Sequence, residues 1–145
     1  MDLIDTHLWL MNTSDFFDWS HDIDSEEHYE WLATEGENRY RENVENWENQ
    51  LRAEIEAAAE WARSTGLPLA TTESWAVIHY TDRPGLDWEW VKELCAVGTR
   101  AAAATGQWTA LSTSNFCGPQ FRGMWEDIEW HQELTTTVKN ASVNY

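Results

Sequence analysis

The chain has 145 residues, 42% of them hydrophobic, which suits one ordinary domain with its own core and speaks against a disordered chain. Asp and Glu number 26 against 9 Lys and Arg, a net charge of −17. Such a surface repels phosphate backbones and anionic lipid, so neither nucleic acid nor membrane is an expected partner.

Residues 2–10, DLIDTHLWL, read as a short strand, with Asp5 and His7 as polar insertions near its end. Residues 11–37 keep no sustained period and are rich in Asp, Ser and aromatics. A loop of that length is usually functional or partly helical. Within it, residues 25–32 read as a short helix opened by a Ser cap, and His21 and His28 are expected in solvent.

Residues 37–64 form a long helix candidate. Tyr40, Val44, Trp47, Leu51, Ile55, Ala58 and Ala62 recur every three or four residues as one buried stripe, and Gly66 stops the helix. Residues 67–75, LPLATTESW, are the second strand, finishing on Glu73 and Trp75, and Asp82, Pro84 and Gly85 mark a turn. Residues 87–105 are the next helix, with Trp90, Val91, Leu94, Val97 and Ala101 on one face and Gly106 closing it. Residues 107–114 form a third strand, 115–123 a loop, and 124–140 a last helix.

Two cysteines, Cys95 and Cys117, without metal spacing support neither a zinc site nor a disulfide framework, and Cys95 falls on a buried helix face. The mixed His and acid run at 21–28 lacks fixed ligand spacing, so neither metal nor cofactor is expected. Met1 is followed by Asp2 rather than by a basic and then apolar run, so the chain as it stands is expected in the cytoplasm.

Strand, loop and helix alternate three times, the pattern of parallel strands with crossover helices in an α/β fold. A doubly wound sheet wants a glycine-rich turn after its first strand, and none follows Leu10. The strand-to-helix loops carry polar and aromatic residues instead, as in an eight-stranded (β/α)8 TIM barrel, which keeps its active site at the carboxyl ends of its strands. Three units cannot close a barrel, so the reading is an incomplete one with exposed sheet edges.

Adjacent parallel strands would bring His7 and Trp9, Glu73 and Trp75, and Ser114, Asn115 and Phe116 to one rim. A carboxylate there can serve as nucleophile or general base, His and Asn can orient it or bind hydroxyls, and indoles can stack on sugar faces. Tryptophan is unusually frequent, 11 residues, although most indoles in any chain serve packing. Glu73 is equally open to a structural role, capping its loop or pairing with an arginine, and His79 is open as a second rim histidine.

The stretch TTESWAVIHYTDRPGLDWEWVKELCAVGTRAAAATGQWTALSTSNFCGPQFRGMWEDIEWHQELT, with DLIDTHLWL before it, resembles the closing part of the cellulase-like, sugar-binding barrel proteins related to glycoside hydrolase family 5. The resemblance implies a TIM barrel of which residues 1–145 are the C-terminal part, about the last three of eight units. It implies retaining hydrolysis with Glu73, at the end of the seventh strand, as nucleophile. His7 and Trp9 match in outline the His and aromatic of the sixth strand, where the family usually has Tyr in place of Trp9. A sugar-stacking Trp usually ends the eighth strand, and Phe116 is the nearest equivalent here.

The family's acid/base glutamate follows an Asn at the end of the fourth strand, and no such pair follows a strand in this chain. The implied catalytic residues are thus Glu73 and His7, and the implied substrate-binding residues are Trp9, Trp75, Asn115 and Phe116. The implied partners are an oligosaccharide or polysaccharide together with the missing N-terminal barrel portion. A non-catalytic carbohydrate-binding protein and an inactive, self-associating half-barrel are the alternatives. The chain alone is expected not to hydrolyse glycosides.

Overall fold

The structure is a computed structural model that describes residues 2–10, 15–17, 25–76, 85–113 and 122–144. In chain order the elements are β1 (Ile4–Asp5), α1 (Glu26–Thr34), α2 (Gly36–Glu42), α3 (Val44–Thr65), β2 (Leu69–Ala70), α4 (Glu89–Thr105), β3 (Trp108–Ala110), α5 (Arg122–Trp125) and α6 (Ile128–Asn140). The three strands form one parallel sheet in the order β1-β2-β3. Ile4 lies opposite Leu69, Asp5 opposite Ala70, and Leu69 opposite Trp108, with an irregularity between β2 and β3. The α/β alternation read from the sequence is therefore present, and all strands end toward the same side. Among the described residues no fourth strand pairs with the outer edge of β1 or of β3.

Helix α3 forms because its apolar residues fall on one stripe: Trp47, Leu51, Ile55, Ala59 and Ala62 are buried, facing α4. Helix α4 answers with Trp90, Val91, Leu94 and Cys95, all buried. Gly66 and Gly106, both at φ 71°, end α3 and α4 in the left-handed conformation that costs a residue with a Cβ. A strand begins within three residues of each. No helix among the described residues is long and apolar enough to cross a membrane.

The sequence pattern merges helices that the structure separates. The stretch 37–64 is α2 and α3, divided at Asn43 with φ −154° and ψ 54°. The start of α2 is held against α4: a Cβ on Gly36 would sit 3.0 Å from the Trp90 ring. The chain must turn before α3 can run along α4. Trp47 spans the break, its indole N–H donating to the Arg39 carbonyl at 3.0 Å.

The stretch 124–140 likewise divides into α5 and α6 at Asp127. That carboxylate caps α6 by accepting from the Trp130 N–H at 3.0 Å and takes the ammonium of the buried Lys92 at 2.6 Å. His28, expected in solvent, is instead buried on α1, its ring 4.9 Å from that of Phe17. Most of the described tryptophans serve packing: Trp9, Trp47, Trp75, Trp88, Trp90 and Trp108 are buried, and Phe16 stacks at 5.9 Å on Trp90.

Around α6 two groups contribute to a loss of stability toward acid pH. Burial holds the His131 imidazole below its ordinary value, with Nε2 donating to the Met124 carbonyl at 2.9 Å and Nδ1 3.3 Å from the Thr113 hydroxyl. The hydrogen bond from Lys92 holds the Asp127 carboxyl below its ordinary value. The unfolded chain therefore binds the His131 proton first as pH falls below about 6.5. Stability from that group is full above that pH and drops as pH falls toward the folded-state value. The Asp127 contribution is full above an unfolded value of about 3.9 and is lost as pH falls through the lower folded one. Urea melts between pH 8 and 5 should show a midpoint that falls toward pH 5, and His131→Gln should flatten that fall.

Candidate functional site at the strand ends

Three residues after the start of β2 the ladder stops for a local reason. The Thr71 hydroxyl donates to the Glu73 carbonyl at 3.1 Å, closing a tight turn over residues 71–73. Its oxygen then accepts from the Ser74 hydroxyl at 2.6 Å, and the Ser74 oxygen accepts from the Leu8 N–H at 3.1 Å. Thr71 and Ser74 are both buried. A hydroxyl pair shielded from water thus ties the Glu73 backbone to the chain following β1. The strand expected over 67–75 is therefore only Leu69–Ala70, followed by this turn and a parallel bridge between Trp9 and Trp75.

Trp75 is the anchor below Glu73. It has φ 94°, the one positive value at a non-glycine residue among those described, and its side chain is fully buried. Its N–H donates to the Leu8 carbonyl at 2.8 Å, its carbonyl accepts from the Leu10 N–H at 3.1 Å, and its indole N–H donates to the Ser112 carbonyl at 2.9 Å. Those bonds join all three strand ends. Gly98 of α4 lies against the ring, where a Cβ would come within 2.6 Å of the indole.

This burial corrects the stacking role read for Trp75, and for Trp9 at 4% exposure: neither ring has an open face in this chain. The last residue after the turn points into the core because its backbone is in the left-handed region rather than extended.

Glu73 and His7 do meet, as read from the sequence. His7 Nδ1 lies 3.9 Å from Glu73 Oε2, and both side chains are 42% exposed. On the other side of the ring, His7 Nε2 lies 3.2 Å from the Thr72 hydroxyl and 3.6 Å from Asp5 Oδ2. Asp5 accepts twice from Thr72, from its hydroxyl at 3.0 Å and its N–H at 3.2 Å. Asp5 reads in the sequence only as a polar insertion and Thr72 carries no signal there, although Asp5 stands two residues before His7, the strand spacing that shares a face. Ser114, Asn115, Phe116 and His79 lie outside the described residues.

Chemically, this end offers the half-exposed Glu73 carboxylate on a fixed backbone, a histidine beside it and, behind the histidine, the equally exposed Asp5 carboxylate bonded to Thr72. Two hollows lie elsewhere among the described residues. One is lined by Asp15, Arg39, Asn43 and Trp47, another by Trp125, Ile128, His131 and Thr135. Among the described residues no group of three or more His, Cys, Asp or Glu is placed to hold a metal ion.

Comparison with known proteins follows the same line. A family model described as sugar-binding cellulase-like matches residues 1–139. A crystal structure of a "putative glycoside hydrolase" from Parabacteroides distasonis superposes with a TM-score of 0.92 at 39% identity, over 99% of this chain. The chain spans 39% of the length of that solved protein. No curated protein matches.

Proposed function

Because the chain belongs to the sugar-binding cellulase-like family, which makes it a carbohydrate-related protein of glycoside hydrolase-like fold, we propose that it is the C-terminal three-unit part of a TIM barrel that cleaves glycosidic bonds with retention. The barrel reading draws support from proportion. Three of eight strand–helix units are roughly 38% of a barrel, and this chain covers 39% of the related structure's length. Among the described residues no further strand lies on the outer edges of β1 and β3, and the remaining strands of the barrel would pair there.

In this reading Glu73 is the nucleophile that attacks the anomeric carbon, and His7 stands beside it to hold its orientation and charge. The observation that carries the reading is the Glu73 carboxylate presented at a strand end by a backbone that Thr71 and Ser74 lock. Retention needs a second carboxyl group about 5 Å from the first, as the acid that protonates the leaving oxygen. The remaining units of the barrel supply it, together with the walls of the cleft. Asn115 and Phe116, past the end of β3, are proposed to contact the sugar.

The family's own description, sugar-binding, favours a second reading in which the completed protein binds carbohydrate without cleaving it. One pair of measurements separates them: hydrolysis of cello-oligosaccharides, and calorimetric binding of the same ligands. Both are made on this chain alone and on the chain joined to further strand–helix units. The catalytic reading predicts no turnover by the chain alone and turnover on completion. Binding on completion without turnover supports the second reading. Self-association of the chain into a defined oligomer, with no ligand bound in either form, supports a structural remnant instead.

A further inference from the structure

The polar pair behind His7 carries more than a packing role. An ionised carboxylate can only accept hydrogen bonds, so in the 3.0 Å contact between Thr72 and Asp5 the Thr72 hydroxyl must give its proton to Asp5 Oδ2. A hydroxyl has one proton. Toward His7 Nε2, 3.2 Å away, the Thr72 oxygen can then only accept. With the hydroxyl proton on Asp5, the Thr72–His7 contact is a hydrogen bond only when His7 carries a proton on Nε2. The Thr72 N–H bond to Asp5 Oδ1 holds the carboxylate in the pose that makes this so.

We propose that Asp5 and Thr72 form a positioning relay that fixes His7 in its Nε2–H tautomer and aims Nδ1 at Glu73. This rests on the reading of Glu73 as the reacting carboxylate. With the relay in place, any proton on Nδ1 lies between His7 and Glu73, which are 3.9 Å apart. His7 then has one adjustable proton, and it faces the nucleophile. In the imidazolium form that proton supports the Glu73 anion. In the neutral form Nδ1 is an acceptor beside the carboxylate, suited to a sugar hydroxyl.

Without the relay the Nε2–H form loses its acceptor, and Glu73, 3.9 Å from Nδ1, pulls weakly toward the opposite tautomer. The change in tautomer ratio when Thr72 or Asp5 is altered is thus the readout of the relay. Among the described residues, Asp5 and Glu73 are the charged groups within ion-pair distance of the ring.

The test is 15N and 13C NMR of the imidazole rings in the full chain, at a pH where His7 is neutral, with the His7 signals assigned by their loss in His7→Gln. The wild type should show Nε2–H over Nδ1–H by about tenfold, the bias that a charge-supported hydrogen bond provides. Thr72→Val removes the acceptor, and Asp5→Asn lets the Thr72 hydroxyl point at the ring. Each should lower the Nε2–H to Nδ1–H ratio by about threefold or more, while Thr72→Ser should keep the wild-type ratio and Glu73→Gln, which removes the pull on Nδ1, should keep or raise it.

An Nδ1–H ring in the wild type, or an unchanged ratio in both Thr72→Val and Asp5→Asn, overturns the relay. The readout needs no substrate. Absence of hydrolysis in the completed protein removes the role of Glu73 and leaves the tautomer result standing. A failed tautomer result removes the relay and leaves Glu73 untouched.

Discussion

Glu73→Gln, placed in the chain completed to a barrel, is expected to lower glycoside turnover by about a thousandfold or more, because a covalent nucleophile has no substitute. The same change should leave stability within about 0.5 kcal/mol of wild type, as for surface substitutions away from special features. The separation follows from how Glu73 is held. Its carbonyl, not its carboxylate, takes the Thr71 hydroxyl, and that bond survives in glutamine. Among the described residues its ion-pair partner is His7, at 3.9 Å, a distance at which an exposed pair contributes little. Steady-state kinetics beside a urea melt check both halves. A variant that keeps wild-type turnover removes Glu73 from the chemistry.

Trp75→Ala should act in the opposite way, through stability. Removing a buried tryptophan side chain costs about 3–5 kcal/mol. Here the loss includes the indole bond to the Ser112 carbonyl and the contact with Gly98, while alanine inherits φ 94°. Trp75→Gly leaves as large a void but relaxes the backbone, so it should fall short of the alanine loss by about 1 kcal/mol. Chemical denaturation of the three proteins measures this. An alanine variant as stable as wild type would mean that Trp75 is not the tie between the strand ends.

The helices were legible in the sequence because burial on α3 and α4 imposes a 3.6-residue period that Leu51, Ile55 and Leu94 obey. The two glycine stops were legible for a related reason, since a left-handed residue at a helix end selects against a Cβ. The break at Asn43 was not, because it depends on Trp90 meeting Gly36 from another helix. Strand ends were the weakest part. Thr71 reads as a strand residue, and only the structure shows its hydroxyl closing a turn.

The site divides the same way. That Glu73 and His7 meet at one strand end was legible from their place after apolar strand residues. Trp75 was misread as an open plate, because a positive φ at a bulky residue leaves no mark in composition or period. Asp5 and Thr72 became visible only when β1 and β2 were laid side by side, since they lie 67 residues apart.

The measurement that bears most directly on the central claim is covalent trapping. A cellobioside with fluorine at C2 and a dinitrophenolate leaving group needs little acid assistance to react, and the fluorine slows release of the sugar. Incubated with the completed protein and digested for mass spectrometry, it should leave one sugar adduct on the peptide containing Glu73. An adduct on a different carboxylate, or turnover of the unfluorinated glycoside with no adduct at all, would contradict Glu73 as the nucleophile.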